Sequence, residues 1–542
     1  MSHQSTRADK PRGEITMTTT AVHPIADEKP DRAGLVLVAL ILVEIVANMN
    51  LSVANVAIPS IGKAFDASQT SLDLVSVGFS VGLAGSVLYL GAIGDRYGRA
   101  RMLLIGTALA IPTSIAAAYS PNVNFLIVSR ILGGIAAGMA YPTTLALITA
   151  LWSGRSRTKS IALWSAGGGA TAALGPFLAG LALNYFWWGS CFLLTLPLAV
   201  VAIILAALVV PKHVNETTES IDHLGGLLSM VGIVALILAI NFAPSSGEGR
   251  LALVTAVIGV VALVVFFLRQ RVAANPLFDL HIASRRIFWV AAIGGIIVFG
   301  ALMGAIFIGL QFLQNVLGYS TVEAGASVIP AAIFMMLVAP QSAKLIDRFG
   351  SRFTLLLGYS FCLAGFVFML IFWDQHSNFF EVFCAFVLAG IGVGLAGTPA
   401  SHSLTGSVPV RRAGMASGTS DLQRDFGGAV MQSLLGALLT AGYASAVAKS
   451  INAQSTPISA PITNELQRSY SSAAAIAAQY PSHASAIIDG ARSAFLSGAN
   501  LAYGAGALAV IGGGVIIFFC YPKKSSEVEL LASYAAQDSD AS

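Results

Sequence analysis

GDRYGRARMLL, residues 94–104, is a short basic turn held between two long apolar runs. A second copy, IDRFGSRFTLL, occupies residues 346–356 in the same setting. Asp95, Arg96 and Gly98 correspond to Asp347, Arg348 and Gly350, with Tyr97 matched by Phe349. Glycine permits a tight turn between helices, aspartate caps a helix start, and arginine reaches phosphates or a facing carboxylate. Each copy falls between the second and third helix of a six-helix unit, provided that the seventh and eighth helices are an insertion. An internal repeat of this kind marks a two-lobed membrane protein whose lobes rock about a central site. The alternative is two unrelated turns that share only a basic character. Four matched positions at a matched location favour the repeat, and the loops read as a gate latch rather than a catalytic site.

Moving outward from these turns, the chain is almost entirely apolar. Of its 542 residues 56% are hydrophobic and only 10% charged, with a mean hydropathy of +0.77. A soluble domain carries about a quarter charged residues, so a lipid-facing surface takes the place of the missing charge. Runs of about twenty apolar residues, each able to cross about 30 Å of hydrocarbon as a helix, recur at 33–57, 71–91, 101–120, 123–148, 159–184, 188–210, 224–243, 250–268, 288–316, 322–343, 353–373, 380–400, 414–445 and 494–520. The expected fold is therefore all-α and integral to the membrane, with about fourteen spanning helices. Membrane β-strands are about half as long and alternate in polarity.

The basic residues set the orientation, because short cytoplasmic loops retain Lys and Arg. Alternate loops carry Arg96, Arg99 and Arg101; Arg155, Arg157 and Lys159; Arg269, Arg271, Arg285 and Arg286; Lys344, Arg348 and Arg352; Arg411 and Arg412. The intervening loops hold little beyond Lys63 and Arg250, and Lys523 and Lys524 follow the last span. Both termini are thus expected in the cytoplasm. The expected organisation is a disordered tail (1–32), a first six-helix lobe (33–210), two inserted helices (211–270), a second lobe (271–520) and a C-terminal tail (521–542). An outer segment, 446–493, is Ala- and Ser-rich and forms either short surface helices or a mobile loop. No removable leader is expected at the N-terminus, the first span serving as the targeting signal. Cys191, Cys362, Cys384 and Cys520 form no CxxC pair and read as packed small side chains.

These features together resemble the major facilitator superfamily, and within it the fourteen-helix drug:proton antiporters, over about residues 33–520. The turn matches the family's signature loop at Gly91, Asp95, Arg96, Gly98, Arg99 and Arg101. The ending of helix one is matched by Asn55 to Pro59. Helix four carries Arg130, Gly134 and Gly138, with Gly133 where glutamine is usual. Helix five carries Gly175, Pro176 and Gly180, similar to the antiporter motif of exporters, although Ala179 replaces one of its paired glycines. The resemblance implies two six-helix lobes with two additional central helices. The small residues Gly167, Gly168, Gly169, Ala170 and Gly175 also allow close helix approach, and Pro176 removes a backbone hydrogen bond. A tightly packed seam and a rocking element are both compatible with them.

Ionisable groups inside spans are costly and are candidates for function. Glu44 lies near the middle of helix one, with Asn48 and Asn50 beyond it; Arg130 lies in helix four; Asp421, Arg424 and Asp425 lie in helix thirteen. Glu323 lies at an outer helix end and is expected to be solvated. Asn50 stands where the family usually has an aspartate, so a titrating role there does not carry over. Burial favours the neutral form of a carboxyl, which suits a proton-coupling group, and Glu44 is the substitute candidate. The alternative is a structural glutamate. Asp421 shares a face with Arg424 and Asp425, so two acids compete for one arginine. They form either a proton-exchanging site or a satisfied polar knot, and Gly427 and Gly428 favour the knot.

The function expected is proton-coupled export of a small amphipathic drug or metabolite, powered by the proton gradient without a bound cofactor. Apolar surfaces with few polar anchors suit loosely defined hydrophobic ligands, and Asn48 and Asn50 are candidate polar anchors. No GxxxxGK[ST] loop suggests direct use of ATP. Uptake by symport on the same fold is the first alternative. A membrane enzyme is the second, but the eight histidines lie in the tail, loops and helix ends, none at metal-ligand spacing. The expected partners are the substrate, protons and lipid. No nucleic acid is expected, the chain is expected to be a monomer, and a bacterial plasma membrane is the family-level location.

Overall fold

A computed structural model describes residues 29–65, 69–212, 214, 220–243, 249–409, 412–453, 459–468 and 470–540. The expected disordered tail lies almost wholly outside these, as does Arg411. Backbone groups facing hydrocarbon have no water to bond, so every span closes its own hydrogen bonds as a helix. The long helices are α1 Ala33–Phe65, α2 Gln69–Tyr97, α3 Arg99–Ala118, α4 Val123–Leu151, α5 Gly154–Tyr185 and α6 Leu196–Val209. They continue as α7 His223–Phe242, α8 Gly249–Gln270, α9 Arg286–Asn315, α10 Ile329–Phe349, α11 Ser351–Phe372 and α12 Phe379–Gly406. The last are α13 Ala413–Asn452, α14 Ala484–Cys520 and α15 Lys524–Asp540.

Thirteen helices among the described residues are long and apolar enough to span a membrane. The other expected span is α5. It is 32 residues long; several of its side chains lie outside the described ones, and Leu174–Tyr185 is its apolar stretch among the described residues. The sixth span is broken into Ser190–Leu193 and α6, with Pro197 near the start of the second piece. Between α13 and α14 the described residues are mostly helical, as Ala460–Arg468 and Tyr470–Gln479. Glu323 is exposed and forms a capping box with Ser320 at the start of Thr321–Ser327.

Within the first half α2 and α3 pack on α4, and α1 packs on α5 and α6. Within the second half α9, α11 and α13 pack on α14, and α10 and α11 on α12. The halves meet where α5 lies against α10 and α12, and where α13 lies against α2 and α4. The hairpin of α7 and α8 rests on α2 through α7. At its base Asp222 accepts from the Gly225 amide at 2.9 Å, Arg269 Nε at 2.8 Å and Gln270 Nε2 at 3.1 Å. Burial pushes this carboxyl up, but those donors outweigh it and hold Asp222 below the usual carboxylate range.

The two repeat turns have the same backbone form. Gly98 and Gly350 are single residues between consecutive helices, with φ of 113° and 88°. A side chain in this region of φ is strained by about 1–3 kcal/mol. Gly98→Ala is therefore expected to lower the thermal unfolding midpoint in detergent. An unchanged midpoint would show that the turn has no need of glycine.

Candidate functional site

The charged residues of the spans converge across the seam between the halves. Arg424 Nη1, from α13, lies 3.1 Å from Glu44 Oε1 of α1 and donates to the Tyr141 hydroxyl of α4 at 2.5 Å. Its Nη2 donates to Ser165 Oγ of α5 at 3.4 Å. The guanidinium stands over two aromatic rings, Trp164 of α5 at 4.5 Å and Phe299 of α9 at 4.9 Å. Trp164 is fixed by its own Nε1 bond to Thr144 Oγ1, 2.9 Å long. One side chain of α13 thus touches four other helices, from both halves. Glu44 is fully buried, with 0% exposure.

The glycine run of α5 makes room for this pair. A Cβ on Gly168 would sit 2.1 Å from Glu44 Oε1 and 3.2 Å from Arg424 Nη1. Gly167 is similarly close to Ile41. Gly169 and Ala170 lie outside the described side chains. Farther along α5, a Cβ on Gly175 would meet Ser52 Oγ at 2.0 Å, and one on Gly180 would rest against Val322 at 3.5 Å. Pro176 lies inside the helix between them.

Asp421 and Asp425 flank Arg424 on α13, but the guanidinium turns to Glu44 and Tyr141 instead. Both carboxylate oxygens of Asp421 are buried without a hydrogen-bond partner, as is Asp425 Oδ2. Asp421 lies within electrostatic range of Arg424, Asp425 and Glu44. Three carboxyls therefore share one guanidinium. Asn48 donates to the Glu44 carbonyl at 3.1 Å and lies 3.5 Å from the Tyr141 hydroxyl.

Arg130 forms a separate cluster in the first half. Its Nη1 donates to the Asn50 carbonyl at 2.6 Å and its Nε to the Val75 carbonyl at 3.3 Å. The rings of Phe79 and Phe192 lie 5.0 and 5.5 Å from its guanidinium carbon. The Asn50 side chain donates to the Val46 carbonyl and receives a bond from Ser114. Asn55, Ile58 and Pro59 lie outside the described side chains.

The repeat turns lie at one end of the molecule. Asp95 Oδ1 pairs with Arg99 Nε at 2.8 Å, and both residues are buried. Gly91 is buried in α2, Arg96 stands over Tyr97 and Arg101 is exposed. In the second copy Asp347 pairs across the seam with Arg155 of α5 at 3.4 Å, the two side chains being 36% and 75% exposed. Arg348 stands over Phe349. Lys524 of α15 donates to the Asp347 and Arg348 carbonyls at 2.6 and 3.0 Å, and Glu527 accepts from the Ser351 amide. Among the described residues no group of three or more His, Cys, Asp or Glu is placed to hold a metal.

Tyr141, Trp164, Ser165 and Phe299 did not emerge from the sequence, because aromatic and small residues in an apolar helix read as core. The available signal was Trp164 and Ser165 directly before the glycine run.

The sequence profile of the Major Facilitator Superfamily matches residues 40–432. The "Multidrug efflux pump LfrA" of Mycolicibacterium smegmatis is 31% identical over 474 residues, covering 87% of this chain and 93% of that protein. The "Multidrug resistance protein Stp" of Mycobacterium tuberculosis is 32% identical over 394 residues, 72% of each chain. Among solved structures, the human organic anion transporter MFSD10 (TETRAN) superimposes with a TM-score of 0.58 at 13% identity, covering 90% of this chain and 100% of that one. A profile match over most of the chain, a relative above 30% identity and a shared fold agree: this chain belongs to the Major Facilitator Superfamily of multi-pass membrane transporters of small molecules.

Proposed function

We propose that the chain exports small amphipathic drugs or metabolites in exchange for protons, by alternating access of two six-helix lobes (33–210 and 271–520) joined by the inserted hairpin (211–270). The observation that carries this reading is the Glu44–Arg424 pair, which joins the halves inside the apolar core beside the unpartnered carboxyl of Asp421. Two buried acids and the half-buried Asp425 around one guanidinium give a site that gains or loses a proton when the pair opens. Glu44, Asp421 and Asp425 are the proposed proton-exchanging groups, Arg424 their counter-charge, and Arg130 a support that positions α1 through Asn50. The efflux names of LfrA and Stp support the direction of transport. The glycine-rich face of α5, with Gly175, Pro176 and Gly180, is the proposed rocking element.

The basic loops gather at one end, which we assign to the cytoplasm together with both termini, in a bacterial plasma membrane and in a monomer. The turns act there as the latch. Asp95→Asn keeps the shape but removes the negative charge that Arg99 Nε bonds, and is expected to cut transport about tenfold or more while insertion stays normal. Near-normal transport by this variant would remove the Asp95–Arg99 pair from gating.

The direction of coupling is tested with purified protein in vesicles that enclose a pH-sensitive dye. Substrate added under an imposed proton gradient should drive protons opposite to itself. Movement of both in the same direction would make the protein an uptake symporter.

A further inference from the structure

We propose that Arg157 and His402 form a second site, which takes a compact monoanionic group where the basic ends of α5 and α12 meet. Arg157 lies in the first turn of α5, and its Nε and Nη2 are buried without a hydrogen-bond partner among the described residues. These two nitrogens form one edge of the guanidinium and point their N–H bonds in parallel. That fork matches the two oxygens of a carboxylate, or a single halide between them. Of the neighbouring charges, Arg155 is engaged by Asp347 across the seam, and Lys159 is exposed. From the facing helix α12 comes His402, within electrostatic range of Arg157.

A guanidinium edge buried with no counter-charge among the described residues is costly, and chains keep such groups for a reason. The N-terminal dipole of α5 adds further positive potential at the same place. The Arg157 edge and the α5 N-terminus together favour an anion. The anion is either a free ion or the carboxylate of an amphipathic substrate passing the mouth. This site is separate from the Glu44–Arg424 cluster and does not depend on proton exchange there.

The test is thermal unfolding of the full chain in detergent, at fixed ionic strength, with gluconate exchanged for chloride, acetate or octanoate. Octyltrimethylammonium controls for surfactant effects. A saturable rise of the midpoint is expected for the wild type, with at least about tenfold more anion needed by Arg157→Gln. His402→Asn should show a smaller weakening. A response to chloride and acetate identifies a free ion; a response to octanoate alone identifies the carboxylate of a substrate. Should Arg157→Gln fail to fold, Arg157→Lys keeps the charge without the fork and should also bind more weakly. Identical responses of wild type and the folded Arg157 variant, or no response in the wild type, would overturn the site.

Discussion

Arg424→Ala abolishes substrate-driven proton movement, while the protein still reaches the membrane. The guanidinium is the one positive group among Glu44, Asp421 and Asp425 in the described centre, and it bonds Glu44, Tyr141 and Ser165 at once. Without it no carboxylate there has a counter-charge, and an uncompensated buried charge costs several kcal/mol. The acids are then locked in one protonation state throughout the cycle. The variant also loses its cation–π contacts with Trp164 and Phe299, each worth about 2 kcal/mol when desolvated. Arg424→Lys separates charge from geometry. A single ammonium cannot reproduce the planar fork, so transport should fall about tenfold without vanishing. Coupled transport at the wild-type rate in Arg424→Ala would exclude this residue from the mechanism.

Gly168→Ala produces the second large loss, through a single methyl group. The new Cβ would stand 2.1 Å from Glu44 Oε1 and 2.9 Å from its Cδ, far inside contact distance. Something has to move, and the movable groups are the carboxylate and the guanidinium themselves. Overpacking of this kind costs about 1–3 kcal/mol, and here it separates the pair that joins the halves. Transport should drop by about tenfold or more. The double variant Gly168→Ala with Glu44→Asp withdraws the carboxylate by one methylene and should recover part of the activity. Rates equal to wild type in the single variant would show that the close approach has no functional weight. A double variant worse than the single one would point to a backbone defect instead.

The spans were readable because lipid forces long apolar runs, and the turns because Gly98 and Gly350 are required by their backbone angles. The fifth span was readable from its place in the alternation of basic loops and from its uncharged run after Lys159. The ionisable residues stood out one by one, since each is expensive in hydrocarbon. Their pairing did not. Spacing along α13 put Asp421 and Asp425 beside Arg424, yet the arginine reaches Glu44, 380 residues away in sequence. Only the packing of α13 against α4 and the space left by Gly168 decide that choice, and neither is encoded locally. The aromatic seat of Arg424 was hidden for the same reason: Trp164 and Phe299 become a cation site only once a guanidinium is placed between them.

The most direct measurement compares wild type and Glu44→Gln in vesicles containing a pH-sensitive dye, challenged with lipophilic cations, neutral antibiotics and anionic amphiphiles. Wild-type protein should move protons against the responding substrate. Glu44→Gln should still carry that substrate down its own gradient but without proton movement and without dependence on pH. Unchanged proton coupling in Glu44→Gln would contradict the account, because the pair at the centre of the molecule would then have no part in the exchange.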